Sequence, residues 1–275
     1  SILSLERDTN NYYFIIRGFE LMKKVIAILL CVATMFCLFA GCGSKGNDTN
    51  EKVWKISTDT VFRPFEYKDA SGKLVGIDVE ILAAIAEDQG FKYELSSVGW
   101  DASIAACQAG QADAMIAGAS ITDKRKSEGW IFSDGYYHCT QTMTVAADST
   151  IKGFEDLKGK QVAVKTGTMG ADYANSLKDK YGFTIASFED SPTMYQAVIG
   201  GQAVACFEDT PIMKDSIKNG NLALKVLENT ASEGSDYGLA IFNSANQEFL
   251  DMFNAGLKNI KANGKYDEII NKYVG

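Results

Sequence analysis

Apolar positions along this chain come in short blocks whose period switches back and forth. Residues 53–56 read as a strand. Residues 78–89 carry apolar side chains at 79, 81, 82, 85 and 86, the spacing of one helix face, with Asp78 suited to the N-cap and Gly90 to the stop. A strand pattern follows at 91–95, a helix at 102–109 ending before Gly110, and a buried strand at 113–117. Strand patterns return at 160–165, 183–188 and 203–207, with helices fitting around 171–180 and 192–199. One more strand at 237–242 and two helices, around 247–262 and 266–273, complete the series. Strand–helix alternation predicts an α/β fold with parallel sheets covered on both faces. The apolar strands fall in two groups, before about residue 136 and after about 160, which predicts two lobes rather than one sheet.

A different pattern precedes this region. Residues 25–40 are apolar apart from Thr34, and Met22-Lys23-Lys24 stands before them. A basic start, a short apolar core and small residues after it describe a secretory signal peptide. The run is short for a membrane-spanning helix, which needs about 20 residues. The stretch Leu38-Phe39-Ala40-Gly41-Cys42 resembles the lipobox of bacterial lipoproteins, in which the signal is cut before a cysteine that then carries lipid. Phe39 departs from the Leu usual at its position. The expected organisation is a gene-model extension at 1–21, a signal at 22–41, lipidation at Cys42 and a flexible tether over 42–52.

The 275 residues are enough for one large domain or two modest ones, and 46% hydrophobic with 23% charged is ordinary for a folded α/β chain. The net charge of −8 disfavours nucleic acid, whose phosphates call for a basic patch. Of the six cysteines, Cys31 and Cys37 would leave with the signal and Cys42 is the lipid candidate. The remaining Cys107, Cys139 and Cys206 are odd in number and widely spaced, so neither a disulfide framework nor a metal site is expected. The single histidine, His138, makes a histidine-based zinc site implausible and reads as structural. No nucleophile elbow, P-loop or dinucleotide fingerprint is present, and no cofactor is expected.

Several separated motifs occur in a telling order. They are Thr58-Asp59-Thr60-Val61-Phe62-Arg63-Pro64-Phe65-Glu66-Tyr67, Gly76-Ile77-Asp78-Val79-Glu80, Gly118-Ala119-Ser120-Ile121-Thr122-Asp123-Lys124-Arg125, Phe132-Ser133-Asp134-Gly135-Tyr136-Tyr137, Lys165-Thr166-Gly167-Thr168 and Glu208-Asp209-Thr210-Pro211. With them the chain from about residue 53 resembles the amino-acid-binding proteins of bacterial ABC importers, the polar amino-acid class of solute-binding proteins. Within that class the pattern is most similar to glutamine-binding proteins. The resemblance implies two α/β lobes joined by two hinge strands, with a free amino acid held in the cleft. Lobe 1 would comprise 53–137 and 235–275 and lobe 2 would comprise 138–234, with hinges near 136–141 and 233–237. It further implies a monomer that docks on a membrane permease.

The resemblance also implies roles. Arg125 matches the bidentate partner of the ligand carboxylate, a geometry guanidinium suits. The helix opening at Thr168-Met169-Gly170 would add backbone donors, since helix N-termini favour anions. Asp209 matches the ammonium ligand, with the Ser120 hydroxyl and the Gly118 carbonyl beside it. Phe62 and Trp100 match the aromatic walls. Asp59 and Lys165 are expected at the far end of the ligand, where a carboxylate and an ammonium together suit an amide. Glu208 departs from the glutamine-binding pattern, which has His there, and an ionised Glu208 in the cavity would favour a cationic ligand. On the residues alone, Arg125 reads equally as a solvated helix-start residue, Asp209 as an N-cap before Thr210-Pro211, and Phe62 and Trp100 as core aromatics. A dehydratase acting on arogenate or prephenate is the enzymatic alternative on this fold, with Glu208 as its acid.

Overall fold

The computed structural model describes residues 52–274. The extension, the signal, Cys42 and nearly all of the tether lie outside the described residues. Among the described residues the chain builds two five-stranded sheets, each flanked by helices, as the alternating pattern predicts.

The first lobe begins with β1 (Val53–Thr58), followed by a small antiparallel sheet of β2 (Val61–Phe62), β3 (Glu66–Lys68) and β4 (Leu74–Val75). Then come α1 (Ile77–Gln89), β5 (Lys92–Ser97), α2 (Trp100–Gln108), β6 (Ala114–Met115), α3 (Asp123–Ser127) and β7 (Ile131–Phe132). The chain crosses over through β8 (Tyr137–Cys139). The second lobe contains β9 (Gln141–Ala146), β10 (Gln161–Lys165), α4 (Met169–Tyr181), β11 (Thr184–Phe188), α5 (Ser191–Ile199), β12 (Ala205–Asp209), α6 (Thr210–Gly220) and β13 (Leu224–Leu227). It returns through β14 (Ser235–Tyr237), which pairs antiparallel with β8. β15 (Ala240–Ile241) rejoins the first sheet, and α7 (Gln247–Ala262) and α8 (Lys265–Val274) pack on it.

The first sheet has the order β5-β1-β6-β15-β7 and the second β11-β10-β12-β9-β13. β1 runs parallel to β5 and β6, and β10 parallel to β11 and β12. The sheets are mixed rather than parallel throughout. β15 is antiparallel to β6 and β7, and β9 is antiparallel to β12 and β13, because these strands arrive from the crossovers rather than from a helix of their own sheet. The strand expected at 237–242 is two strands, one in the crossover pair and one in the first sheet, with a break at Gly238 and Leu239.

Four apolar clusters among the described residues carry the lobes. Trp54, Ile56, Ile81, Leu82, Ile85, Phe249 and Phe253 lie in one, Val145, Val162, Val164, Phe183 and Phe207 in the second, Trp100, Met115 and Trp130 in the third, and Met194, Val198 and Cys206 in the fourth. Each such side chain contributes roughly 1.5–3 kcal/mol on burial. α1 buries the face its spacing predicts and ends at left-handed Gly90, but Asp78 is not its cap. Gly76 holds that position, since a Cβ there would lie 2.0 Å from the Phe65 carbonyl oxygen, and Asp78 is carried inward on the first turn. Cys107, Cys139 and Cys206 are free and buried, and burial raises all three thiols, that of Cys107 to about 11. His138 Nδ1 lies 2.9 Å from Asp236 Oδ1 across the exposed face of the crossover pair.

Candidate functional site

The C-terminal ends of β1, β6, β10 and β12 point toward one cavity. Parallel strands put their side chains and the loops after them at this edge, which is where open α/β sheets receive ligands. Its lining is Asp59, Phe62, Trp100, Ala117, Gly118, Ser120 and Arg125 from the first lobe and Lys165, Thr168, Met169, Glu208 and Asp209 from the second. All ten cleft residues named from the sequence are there.

Arg125 belongs to α3, whose first turn Thr122 caps by accepting from the Arg125 backbone N–H at 3.2 Å. Its side chain turns inward and is only 7% exposed. Nη1 donates to the Ser120 carbonyl at 2.9 Å and Nη2 to the Gly167 carbonyl of the other lobe at 3.3 Å. The guanidinium carbon lies 5.1 Å from the ring centre of Trp100 and 5.0 Å from that of Trp130. Burial pulls its pKa below the usual value against the raising effect of Asp209. A guanidinium offers five N–H donors, and carbonyls supply no counter-charge, so the group suits an incoming anion.

Asp209 ends β12 in the second lobe and is 6% exposed. Oδ1 accepts from Gln141 Nε2 at 2.7 Å and Oδ2 accepts from the Tyr237 hydroxyl. Burial raises its pKa despite these donors and the cations Arg125 and Lys165. It stands where a helix cap would, yet makes no capping hydrogen bond. Beside it, Gly118 has φ 55°, and a Cβ would come within 2.6 Å of the Phe62 ring and 3.2 Å of the Tyr237 ring. The backbone thus approaches the cavity where no side chain fits.

The other end of the cavity is built differently. Lys165 Nζ donates to Asp59 Oδ2 at 2.5 Å, and both residues are buried. Asp59 Oδ1 also accepts from the Thr60 backbone N–H. Lys165 Nζ sits 5.5 Å from the Phe62 ring centre. Glu208 lines the cavity but spends its oxygens on its own lobe. Oε2 accepts from Ser191 Oγ at 2.7 Å and Tyr195 Oη at 3.2 Å, and Oε1 from the Asp209 N–H at 2.9 Å. Burial, then the charge of Asp209, push its pKa up to about 7.

Thr168 caps α4 by accepting from the Ala171 N–H at 3.3 Å, so this helix opens at the cavity through Met169. Trp100 Nε1 is buried without a hydrogen-bond partner among the described residues. Two more contacts join the lobes outside the cavity. Arg63 Nε lies 2.8 Å from Asp215 Oδ2, and Lys124 Nζ 2.9 Å from Asp172 Oδ1.

Sequence reasoning missed the residues that hold the lining in place. Gln141 and Tyr237 orient Asp209, Trp130 stands beside Trp100 against Arg125, and Ala117 completes the wall. Trp130 stands five residues after Arg125 in the sequence, and its N–H donates to the Arg125 carbonyl, a local signal that was readable. Gln141 meets Asp209 across the antiparallel β9–β12 pairing and Tyr237 meets it from β14 of the crossover pair, so nothing local marks them.

The second substrate-binding domain of Lactococcus lactis GlnP, in an open conformation, is 38% identical over 82% of this chain and 96% of its own, with a TM-score of 0.59. The arginine-, lysine-, histidine-binding protein ArtJ of Geobacillus stearothermophilus is 34% identical over 82% of this chain and 96% of its own, with a TM-score of 0.74. Among curated relatives, the ABC transporter glutamine-binding protein GlnH of Bacillus subtilis is 31% identical, covering 92% of this chain and 98% of its own. These proteins are named for binding and transport rather than catalysis. No helix among the described residues is long and apolar enough to cross a membrane. Residues 54–275 match the family described as bacterial extracellular solute-binding proteins, family 3, and the chain belongs to that family.

Proposed function

We propose that this protein is the extracytoplasmic substrate-binding component of an ABC amino-acid importer, that it captures a polar amino acid, with glutamine favoured, and that it delivers it to a permease. The observation that carries this reading is Arg125 and Asp209, buried opposite charges from the two lobes lining one small cavity. A free amino acid carries a carboxylate and an ammonium on one carbon. Arg125 takes the carboxylate, with the N-terminus of α4 at Met169 adding backbone donors. Asp209, Ser120 Oγ and the Gly118 carbonyl take the ammonium. The side chain lies between Phe62 and Trp100 and ends at the Asp59–Lys165 pair.

Glutamine is favoured over a basic amino acid because Asp59 and Lys165 already neutralise each other. An amide can accept from Lys165 and donate to Asp59, whereas glutamate meets Asp59 and arginine meets Lys165 with like charge. Glu208 turns its oxygens to three donors of its own lobe rather than to the ligand tip, and burial and the charge of Asp209 disfavour its ionised form. The same three donors leave Glu208 poorly placed to hand a proton to a substrate, so the dehydratase alternative is set aside. Incubation with prephenate should yield no phenylpyruvate.

The proposal includes a monomer anchored by lipid on Cys42, with hinges near 136–141 and 233–237. Cys42→Ala should release the protein into the medium, and a membrane-bound variant would contradict the anchor. The function itself is tested by thermal unfolding against each of the twenty amino acids. A ligand at 1,000 times its Kd adds about 4 kcal/mol, a rise in Tm of roughly 8–16 °C for a protein this size. No rise with any amino acid would overturn the reading.

A further inference from the structure

Behind Gly118 lies a second pair of acidic groups that the binding reading does not use. Glu66 on β3 and Asp78 on α1 are both fully buried, at 0% exposure. The two elements are tied by backbone hydrogen bonds from Ile77 N to the Pro64 carbonyl and from Asp78 N to the Phe65 carbonyl, each 3.0 Å. Gly76 lets α1 start against β3 at this distance, because any Cβ there would strike the Phe65 carbonyl. The side chains of Glu66 and Asp78 are thereby brought within hydrogen-bonding reach of each other.

The donors around them are unevenly shared. Asp78 Oδ2 accepts from the Gly118 N–H at 2.8 Å and from the Tyr136 hydroxyl at 2.9 Å. Asp78 Oδ1 and both oxygens of Glu66 have no donor among the described residues. The charged groups facing Glu66 are Asp78 on α1, Asp59 after β1 and Lys165 at the end of β10, and Tyr136 lies against both acids. Lys165 is engaged by Asp59. Two ionised carboxylates side by side, with no donor between them, would repel each other and leave Asp78 Oδ1 and both Glu66 oxygens uncompensated. One proton between them removes the like-charge repulsion and supplies the missing donor.

We propose that Glu66 is a carboxylic acid that donates its proton to Asp78 Oδ1, so that the two groups carry a single negative charge between them, and that this pair positions Gly118 at the cavity. The assignment of the proton to Glu66 follows from the donors, since Gly118 and Tyr136 donate to Asp78, whereas no donor among the described residues reaches Glu66 and the nearby Lys165 is engaged by Asp59. Burial and the neighbouring Asp78 push the Glu66 pKa well above the carboxylate range, while Asp78 rises only to about 6. The positioning half rests on the amino-acid-binding reading, because Gly118 supplies a carbonyl there. The proton half does not depend on it.

Three measurements on the full chain test the pair. The infrared difference between wild type and Glu66→Gln at neutral pH should contain the band of a protonated carboxyl, and its absence would overturn the assignment. Glu66→Gln keeps a donor toward Asp78, while Glu66→Met keeps the length and removes it. Glu66 holds a proton in the folded state that the unfolded chain releases above its usual pKa, so wild-type stability falls as pH rises. The advantage of Glu66→Gln in Tm should therefore grow as pH rises above the ordinary Glu value of 4.5 and level off only once the raised folded-state value is passed. A pH-independent difference, or Glu66→Met equal to Glu66→Gln in Tm, would contradict a shared proton even if one variant folds poorly. Glu66→Gln should bind glutamine within about threefold of wild type and Glu66→Met at least about tenfold more weakly. Wild-type affinity in Glu66→Met would overturn the positioning half alone. A chain that binds no amino acid would overturn the binding reading and leave the infrared and pH results to judge the pair.

Discussion

The two ends of the cavity hold opposite charges in opposite ways. At one end Arg125 and Asp209 face the same space without an ion pair between them among the described residues, each held by neutral hydrogen-bonding groups. At the other end Asp59 and Lys165 are in direct contact at 2.5 Å. The first end keeps two charges apart and unneutralised, a suitable match for the two fixed charges of an amino acid. The second is already neutral and matches an uncharged, polar tip. Charge count alone therefore does not set specificity in this cavity. What matters is which charges are already spent on each other.

Breaking the self-paired end should have the largest effect. Lys165→Met strands Asp59 in a buried site, and removing one partner of a buried pair costs about 3–5 kcal/mol. Chemical denaturation should show that loss, and the double variant Asp59→Asn with Lys165→Met should recover much of it. Recovery distinguishes a stranded charge from a packing defect.

Breaking the separated end should leave stability nearly intact and remove binding. Arg125→Ala should weaken glutamine binding by about 2–5 kcal/mol, on the order of 30- to several-thousand-fold. Calorimetry within threefold of wild type would place Arg125 outside the ligand contacts.

A smaller effect sharpens the same end. Trp130 lies beside Trp100, their ring centres 6.2 Å apart, with its own centre 5.0 Å from the Arg125 guanidinium carbon. Trp130→Leu should cost about 1–2 kcal/mol of glutamine affinity through the lost cation–π face. A glutamine analogue without the α-carboxylate should show no such difference, since it makes no call on Arg125.

Glu208→Gln should have the smallest effect on binding, because Glu208 faces Ser191, Tyr195 and the Asp209 N–H. Its signature is in stability instead. A carboxyl raised to about 7 stabilises the folded chain fully below its usual value of 4.5 and loses that contribution as pH rises through 7. Wild type should therefore lose stability relative to Glu208→Gln across that window. A preferential loss of arginine binding in Glu208→Gln would show that Glu208 reads the ligand.

The lobes and the cavity lining were legible in the sequence for one physical reason. Asp59, Gly118, Lys165 and Asp209 all follow or end apolar strands, and strand ends in a sheet of this kind converge on one edge. The strands that run against the rest were not legible. Gln141–Ala146 mixes Thr and Gln with apolar residues although nearly all of it is buried, and Leu224–Leu227 is short and contains Lys225. Their burial comes from pairing with β12 and with each other, which no local pattern records. Asp78 was misplaced for a related reason. Its residue type suits a cap, but the helix starts at Gly76 because of contact with the distant Phe65, and Asp78 is drawn to Gly118 and Tyr136 instead.

Competition calorimetry of glutamine against glutamate and arginine tests most directly whether the far end of the cavity is neutral. Glutamine should bind one-to-one and more tightly than either charged amino acid. Arginine preferred over glutamine by about tenfold or more, some 1.4 kcal/mol, would contradict it.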